Sequence, residues 1–370
     1  VGPHSVAGRL PVTGLGVDGA GPEQRVTLSA SSDTVRPGQY QLAWPGGTAW
    51  VGPVLGRAPG RVQRAVTQGA APPPGTRVAI SWSFAGNPGT ALGLPYARVD
   101  VPGELGPFPA WLIPPSPATP PVSAAPAAAV APAASDIPEQ PTPDTWAITV
   151  HGLNANRAEP LRAVPALHAE GLPVLDIGYR NDRGAPRSPD GLNHLGGSEW
   201  RDVEAAVRLA RARGAHRVVL YGWSMGASAI TQFLRHSPDA PLVSAVVFDS
   251  PVLSVPATMS YQAREGRLAA VTEWAAELFV GWRTGVHPAE LDLTGRPPSV
   301  RPPLLLLQGS ADTLVPASVA RRFAAGARDW RLRYVEFAGA AHTQLWNADP
   351  ERYDQAVREF LRPGGATVPR

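Results

Sequence analysis

The sequence has no cysteine among its 370 residues. That absence removes disulfides, thiolate catalysis and Cys-ligated metals together. Lysine is missing as well, so all 33 basic residues are arginine, and against 30 acidic residues the net charge is only +3. Arginine keeps its proton throughout the accessible pH range. No arginine-rich stripe with interleaved aromatics occurs, so no nucleic-acid partner is expected. The densest cluster, Arg201, Arg208, Arg211, Arg213 and Arg217, is broken by Asp202 and Glu204 and reads as a solvated helix face. No run approaches ~18 apolar residues free of proline, so no membrane-spanning helix is expected. H-E-x-x-H motifs, clustered His/Asp ligands, EF-hand loops and phosphate-cradling glycine loops are also lacking. No metal or cofactor is expected.

What is present is a chain of globular composition, 44% apolar, long enough for roughly two to three domain equivalents. Glycine (38) and proline (43) together exceed the usual share, and no G-X-Y period accompanies them. The excess belongs in turns and linkers. Residues 1–97 carry short alternating or β-branched runs (Arg25 to Leu28, Tyr40 to Trp44, Thr48 to Val51, Thr76 to Phe84) between Pro-Gly breakers. They predict a β-rich accessory region without helices. Two strands are expected around a turn at Gly103 to Gly106. Residues 114–143 hold 10 prolines in 30 positions, a composition for a mobile, partly extended loop. The chain begins at Val1, which raises the expectation of a removed leader and an extracytoplasmic location, with the cytoplasm as the alternative.

After Thr145 the pattern changes. Strands are expected at Trp146 to Val150, Pro173 to Tyr179, Arg217 to Tyr221, Ser244 to Phe248, Leu304 to Leu307 and Leu332 to Phe337. Between them, helices are expected at Arg157 to Glu170, at Glu199 to Arg213 with Ser198 as its cap, at Ala227 to Arg235 and at Ala317 to Ala325. A closing helix spans Pro350 to Leu361, with Asp349 as N-cap. Near-continuous apolar strands alternating with helices define an α/β fold with a mostly parallel, doubly wound sheet. Its reactive groups belong at the carboxyl ends of the strands.

Gly222-Trp223-Ser224-Met225-Gly226 fits G-x-S-x-G. The pentapeptide alone is a weak signal, but it follows the strand RVVLY and opens a helix, the setting a nucleophile elbow requires. A serine hydroxyl needs a neighbouring base. Of eight histidines, only His342 follows the last strand and comes after the serine. The acid should end a strand between them: Asp312 is preferred, and Asp249 competes. Two N–H donors should face the developing oxyanion. Met225 supplies one, and Leu153 the other, with Asn154 as the fallback; both lie in the loop after Val150. His151 reads as a structural pin for that loop.

GWSMG, the HG loop, QGSADTLVP and GAAHTQLW together resemble the α/β-hydrolase superfamily. YRND (Tyr179 to Asp182) and SEWRDVEAAV (Ser198 to Val207) resemble the bacterial branch of serine aminopeptidases and prolyl-oligopeptidase-like esterases. The arginine-only, Ala- and Pro-rich composition likewise resembles that of high-GC bacteria. The resemblance spans residues 98–370. It implies a catalytic domain with Ser224, Asp312 and His342 as triad, Leu153 and Met225 as oxyanion donors, and a cap insertion at 251–302. Met259, Trp274, Phe279 and Trp282 in that insertion read foremost as packing residues. Any that face the site call for an apolar acyl or alcohol group. The implied activity is hydrolysis of a small or polymeric carboxylic ester. Peptide or amide hydrolysis is the second reading, and a non-catalytic binding protein the third.

Overall fold

The computed structural model describes residues 9–16, 24–116, 143–264 and 290–362. Six strands come first: β1 (Arg9–Gly16), β2 (Arg25–Ser29), β3 (Tyr40–Trp44), β4 (Gly47–Ala58), β5 (Arg61–Gly69) and β6 (Arg77–Ser81). All their pairings are antiparallel, in the order β1-β2-β5-β4-β3-β6. Because β1 pairs with both β2 and β6, the sheet closes into a barrel. The period-2 alternation turns Val26, Leu28, Leu42, Val51, Val62, Val78 and Ile80 inward, where they form a core of their own. Register shifts between β4 and β5 at Trp50 to Gly56 add the bends that closure requires. One helical turn, α1 (Pro88–Leu92), follows the barrel. The sequence pattern predicts no helix there, but Asn87 and Thr90 form a reciprocal capping box that stabilises the turn.

Arg64 is buried in the barrel. Its guanidinium donates to the carbonyls of Thr34 (2.9 Å), Arg36 (2.7 Å), Gly38 (2.5 Å) and Gly52 (2.6 Å). Burial lowers its pKa to about 10, with Tyr40 partly opposing the shift. Four carbonyl dipoles take the place of a counter-ion, and in doing so they fix the course of the loop from Thr34 to Gly38.

The second body is an eight-stranded sheet: β7 (Ala97–Gly103), β8 (Gly106–Ile113), β9 (Thr145–Val150), β10 (Val174–Ile177), β11 (Arg217–Trp223), β12 (Val243–Asp249), β13 (Leu304–Gly309) and β14 (Leu332–Phe337). Its order is β14-β13-β12-β11-β9-β10-β8-β7. The pairs from β14 to β10 are parallel; β10–β8 and β8–β7 are antiparallel. Alternate residues of single strands enter opposite cores. Ile148, Val150, Leu220, Leu304 and Leu306 face one side, with α3 (Trp200–Ala212) and α4 (Met225–His236). Ala147, Tyr221, Leu305 and Leu307 face the other, with α2 (Val164–Ala169). The remaining helices among the described residues are α5 (Val255–Arg264), α6 (Ala317–Gly326), α7 (Leu345–Ala348) and α8 (Pro350–Leu361). Helix α6 joins the first face through Val319 and Ala320, and α8 joins the second through Tyr353, Val357 and Phe360.

Two local expectations are corrected. The helix expected over Arg157 to Glu170 is a 3-10 turn at Pro160–Arg162 followed by α2. Proline lacks an N–H and is accommodated in a helix's first turn, so Pro165 forces a new start rather than sitting mid-helix. Ser198 does not cap α3. Glu199 holds the cap position, and the Ser198 hydroxyl pairs with His194 Nδ1 at 2.7 Å. The Glu199 carboxylate instead accepts from the amides of His194 and Gly196. Most of the Pro/Ala-rich loop at 114–143 and the middle of the 251–302 insertion, including Trp274, Phe279 and Trp282, lie outside the described residues.

A buried carboxyl in the sheet carries a stability prediction. Asp176 on β10 lies opposite Thr149 of β9, whose hydroxyl donates to it at 2.9 Å. Burial pushes its pKa from 3.8 up to about 8, with the Thr149 hydrogen bond opposing. The folded protein therefore holds a proton there that the unfolded chain releases, and this contribution to stability is lost as pH rises from about 4 to about 8. Asp176→Asn, which cannot ionise, is expected to gain melting temperature relative to wild type between pH 5 and pH 8. An unchanging difference in melting temperature over that range contradicts the assignment.

Candidate active site

The turn from β11 into α4 carries Ser224 in a backbone conformation that side chains rarely adopt, φ 49° and ψ −112°. Such strain persists only where the surroundings impose it. Here the imposing feature is close packing of strand against helix. A Cβ at Gly222 would lie 2.6 Å from the Ala227 nitrogen, and one at Gly226 would collide with the Val150 carbonyl. Both glycines of the motif are thus required by backbone contact. Ser224 is largely buried, at 8% exposure.

His342 arrives from the far edge of the sheet, in the loop after β14, where Gly339 turns the chain at φ 71°. Its Nε2 lies 2.9 Å from the Ser224 hydroxyl, and its Nδ1 lies 2.8 Å from Asp312 Oδ2. Asp312 follows β13. The other oxygen of its carboxylate accepts from the amides of Leu314 (2.9 Å) and Val315 (2.8 Å), while Gln308 donates to Oδ2 at 3.0 Å. Gln262 of α5 holds the same loop through the carbonyls of Thr313 and Leu314. Burial disfavours the imidazolium of His342, but the charge and hydrogen bond of Asp312, with smaller contributions from Glu159 and Asp249, raise its pKa overall. The structure thus brings Ser224, His342 and Asp312 into one hydrogen-bonded chain.

Asp249, the competing acid, points elsewhere. It is buried at the end of β12 and accepts from the hydroxyls of Tyr353 (2.8 Å) and Ser250 (2.9 Å). Burial raises its pKa, against the nearby Arg162 and these two hydrogen bonds. Ser250 in turn accepts from the amide of Thr343, beside His342.

The loop after β9 lies against the nucleophile, since a Cβ at Gly152 would be 3.2 Å from that of Ser224. Leu153 and Asn154 follow, the latter at φ 57°. Next in the chain after Ser224, Met225 opens α4, so its N–H has no acceptor within the helix. His151 fixes the loop from below. Its ring stacks on Tyr179 at 4.3 Å, Nε2 meets Asp182 Oδ2 at 2.8 Å, and Nδ1 meets the Gly152 carbonyl at 2.9 Å. Both ring nitrogens face oxygens, an environment that favours the doubly protonated ring. Accordingly, although burial lowers its pKa, Asp182 and the Gly152 carbonyl raise it overall.

Three supporting residues were not singled out by sequence reasoning. Glu159 accepts from the Gly152 amide at 2.7 Å. Arg162, fully buried, faces Glu159 at 3.5 Å and donates to the Thr343 carbonyl and to Asn347 Oδ1. Asn347 completes the set. A buried arginine in NANRAEPLR is indistinguishable from a surface one until its partners, about 180 residues downstream, are known.

A family model described as an alpha/beta hydrolase domain matches residues 200–368, and another described as a domain of unknown function matches residues 13–81, within the barrel. A Pyrococcus furiosus esterase superimposes with a TM-score of 0.53 at 22% identity, covering 75% of this chain and 95% of that one. The chain has an α/β-hydrolase fold. The chain also superimposes on a Mycobacterium tuberculosis puromycin-hydrolyzing peptidase, with a TM-score of 0.54 at 19% identity. That match covers 93% of this chain but only 47% of the peptidase. Two uncharacterized proteins of Mycobacterium tuberculosis are 27% identical over 223 residues, 58% of this chain and 68% of theirs. Among the described residues, no group of three or more His, Asp or Glu is placed to hold a metal ion, and no helix is long and apolar enough to cross a membrane.

Proposed function

We propose that the protein is a serine hydrolase that cleaves carboxylic esters through an acyl-enzyme. The observation that carries this reading is the 2.9 Å and 2.8 Å chain from Ser224 through His342 to Asp312, set on a strained strand-to-helix turn. Ser224 Oγ forms a bond to the substrate carbonyl carbon as its proton passes to His342 Nε2. The tetrahedral oxyanion is met by the amides of Leu153 and Met225, each donor worth about 3 kcal/mol in the transition state. Collapse breaks the bond to the leaving oxygen, which takes the proton from His342. Water then attacks the acyl-enzyme with His342 as base, releasing the acid and restoring Ser224. Asp312 keeps the proton on Nδ1 and stabilises the imidazolium in both halves.

Peptide or amide cleavage by the same residues is the second reading, supported by the likeness to the puromycin-hydrolyzing peptidase, which extends through the N-terminal barrel. A panel of p-nitrophenyl esters against aminoacyl p-nitroanilides separates the two. Esters are expected to turn over faster, and a preference for anilides assigns the peptidase. Neither turnover nor fluorophosphonate labelling, under conditions that label a control hydrolase, defeats both.

The raised pKa of His342 gives a pH prediction. Only the neutral imidazole accepts the serine proton, so kcat/KM is expected to rise with pH through a midpoint above 6.5. A midpoint at or below 6.5 contradicts the described environment.

A further inference from the structure

The N-terminal barrel touches the α/β-hydrolase domain at one place that bears directly on the site: the segment immediately after His342. The Gln39 amide donates to the Asn347 carbonyl and the Asn347 side-chain amide donates back to the Gln39 carbonyl, each at 2.7 Å. Gln344 accepts from Arg36 (3.2 Å) and Tyr40 (3.3 Å) of the barrel. Trp346 packs its ring against Trp50 and Phe84, at 5.8 and 5.6 Å. Gly38 lies so close that a Cβ there would overlap the Asn347 carbonyl. The barrel side of this contact is held by Arg64, whose four carbonyl partners include Gly38 and Arg36.

On the hydrolase side the contact continues inward. Asn347 Oδ1 accepts from Arg162, which also holds the Thr343 carbonyl, next to His342. Arg162 faces Glu159, and Glu159 holds the Gly152 amide in the loop packed on Ser224. One chain of polar contacts therefore runs from the barrel to both loops that flank the nucleophile.

Resting on the serine-hydrolase reading, we propose that the barrel is a positioning module for the site. Docked on Asn347, it holds the His342 and Gly152 loops in register through Arg162 and Glu159, and Gly38, Asn347 and Arg162 are positioning residues rather than catalytic ones. A barrel that is merely tethered has no reason to place so tight a backbone approach five residues from the general base. Nor does it require a buried arginine whose partners lie in both loops.

Gly38 and Gly46 offer a matched test. Both sit at nearly the same left-handed backbone angle, φ 102° and 105°, so alanine strains both alike. Of the two, Gly38 alone would bring its added methyl against the hydrolase domain; at Gly46 no atom of the described residues lies within 4 Å. Gly38→Ala is expected to lose about tenfold in kcat on a p-nitrophenyl ester with KM within about twofold, since misplacement of the general base falls on the chemical step. Hydrogen exchange across 343–348 should accelerate in the same variant. Gly46→Ala should match wild type in both readouts. Wild-type kcat and exchange in Gly38→Ala, or equal losses in the two variants, overturns the proposal. Should Gly38→Ala fail to fold, Asn347→Ala is read in its place by the same criteria. If the wild type shows neither turnover nor fluorophosphonate labelling, the hydrolase reading fails separately. The exchange comparison then decides the docking claim, with unaltered protection at 343–348 refuting it.

Discussion

Ser224→Ala is expected to lower ester turnover by about 10⁶-fold and to abolish fluorophosphonate labelling, with the fold intact. The size of the effect follows from the proposed role of Ser224 as the nucleophile; what would remain is the smaller contribution of binding and of the proposed oxyanion donors. Retention of the fold follows from the local geometry. The strain at φ 49° belongs to the turn, and alanine inherits it without addition. Strand and helix keep their contact because that contact depends on Gly222 and Gly226. The hydroxyl's lost partner is His342, which remains anchored by Asp312. Steady-state rates, probe labelling and a melting curve on the same preparation make the check. Turnover within tenfold of wild type removes Ser224 from the mechanism.

Asp312→Asn is expected to cost about 10⁴-fold in kcat, while Asp249→Asn leaves kcat near the wild-type value. Oδ1 of Asp312 accepts two backbone amides, so the variant's oxygen stays there. Its NH₂ is then turned toward His342 Nδ1. The ring must lose the proton from that nitrogen and carry it on Nε2, where it blocks proton transfer from Ser224. The Asp249 carboxylate accepts from two hydroxyls, which rotate to suit an amide. The two variants should also differ in kind, since loss at Asp312 falls on kcat more than on KM. Equal losses at the two positions, or a larger one at Asp249, reassign the acid.

Much of this arrangement was legible in the sequence because it depends on local signals. The apolar runs at Leu304 to Leu307 and Leu332 to Phe337 are strands in the structure, and Asp349 caps Pro350–Leu361 by accepting from Arg352. The order serine, acid, histidine, each after a strand, was enough to single out three residues that the fold brings within hydrogen-bonding distance. What escaped depends on distant partners. Strand β5, RVQRAVTQG, buries only Val62 and Arg64, and an inward arginine breaks the alternation that marks a strand. Barrel closure was hidden for the same reason. Ser198 has the chemistry of a helix cap, but the nearby imidazole of His194 takes its hydroxyl. Glu159 and Arg162 look like surface residues until the loops they join are in place.

Gln39 and Asn347 are 308 positions apart. Barrel and sheet are each built largely from neighbours in the chain, whereas this junction closes a loop that includes most of both, and long loop closures come slowly. On the proposed docking, the His342 loop is held in register only once this junction has formed. During synthesis, the barrel and most of the sheet can be complete before the segment at 343–348 emerges to join them.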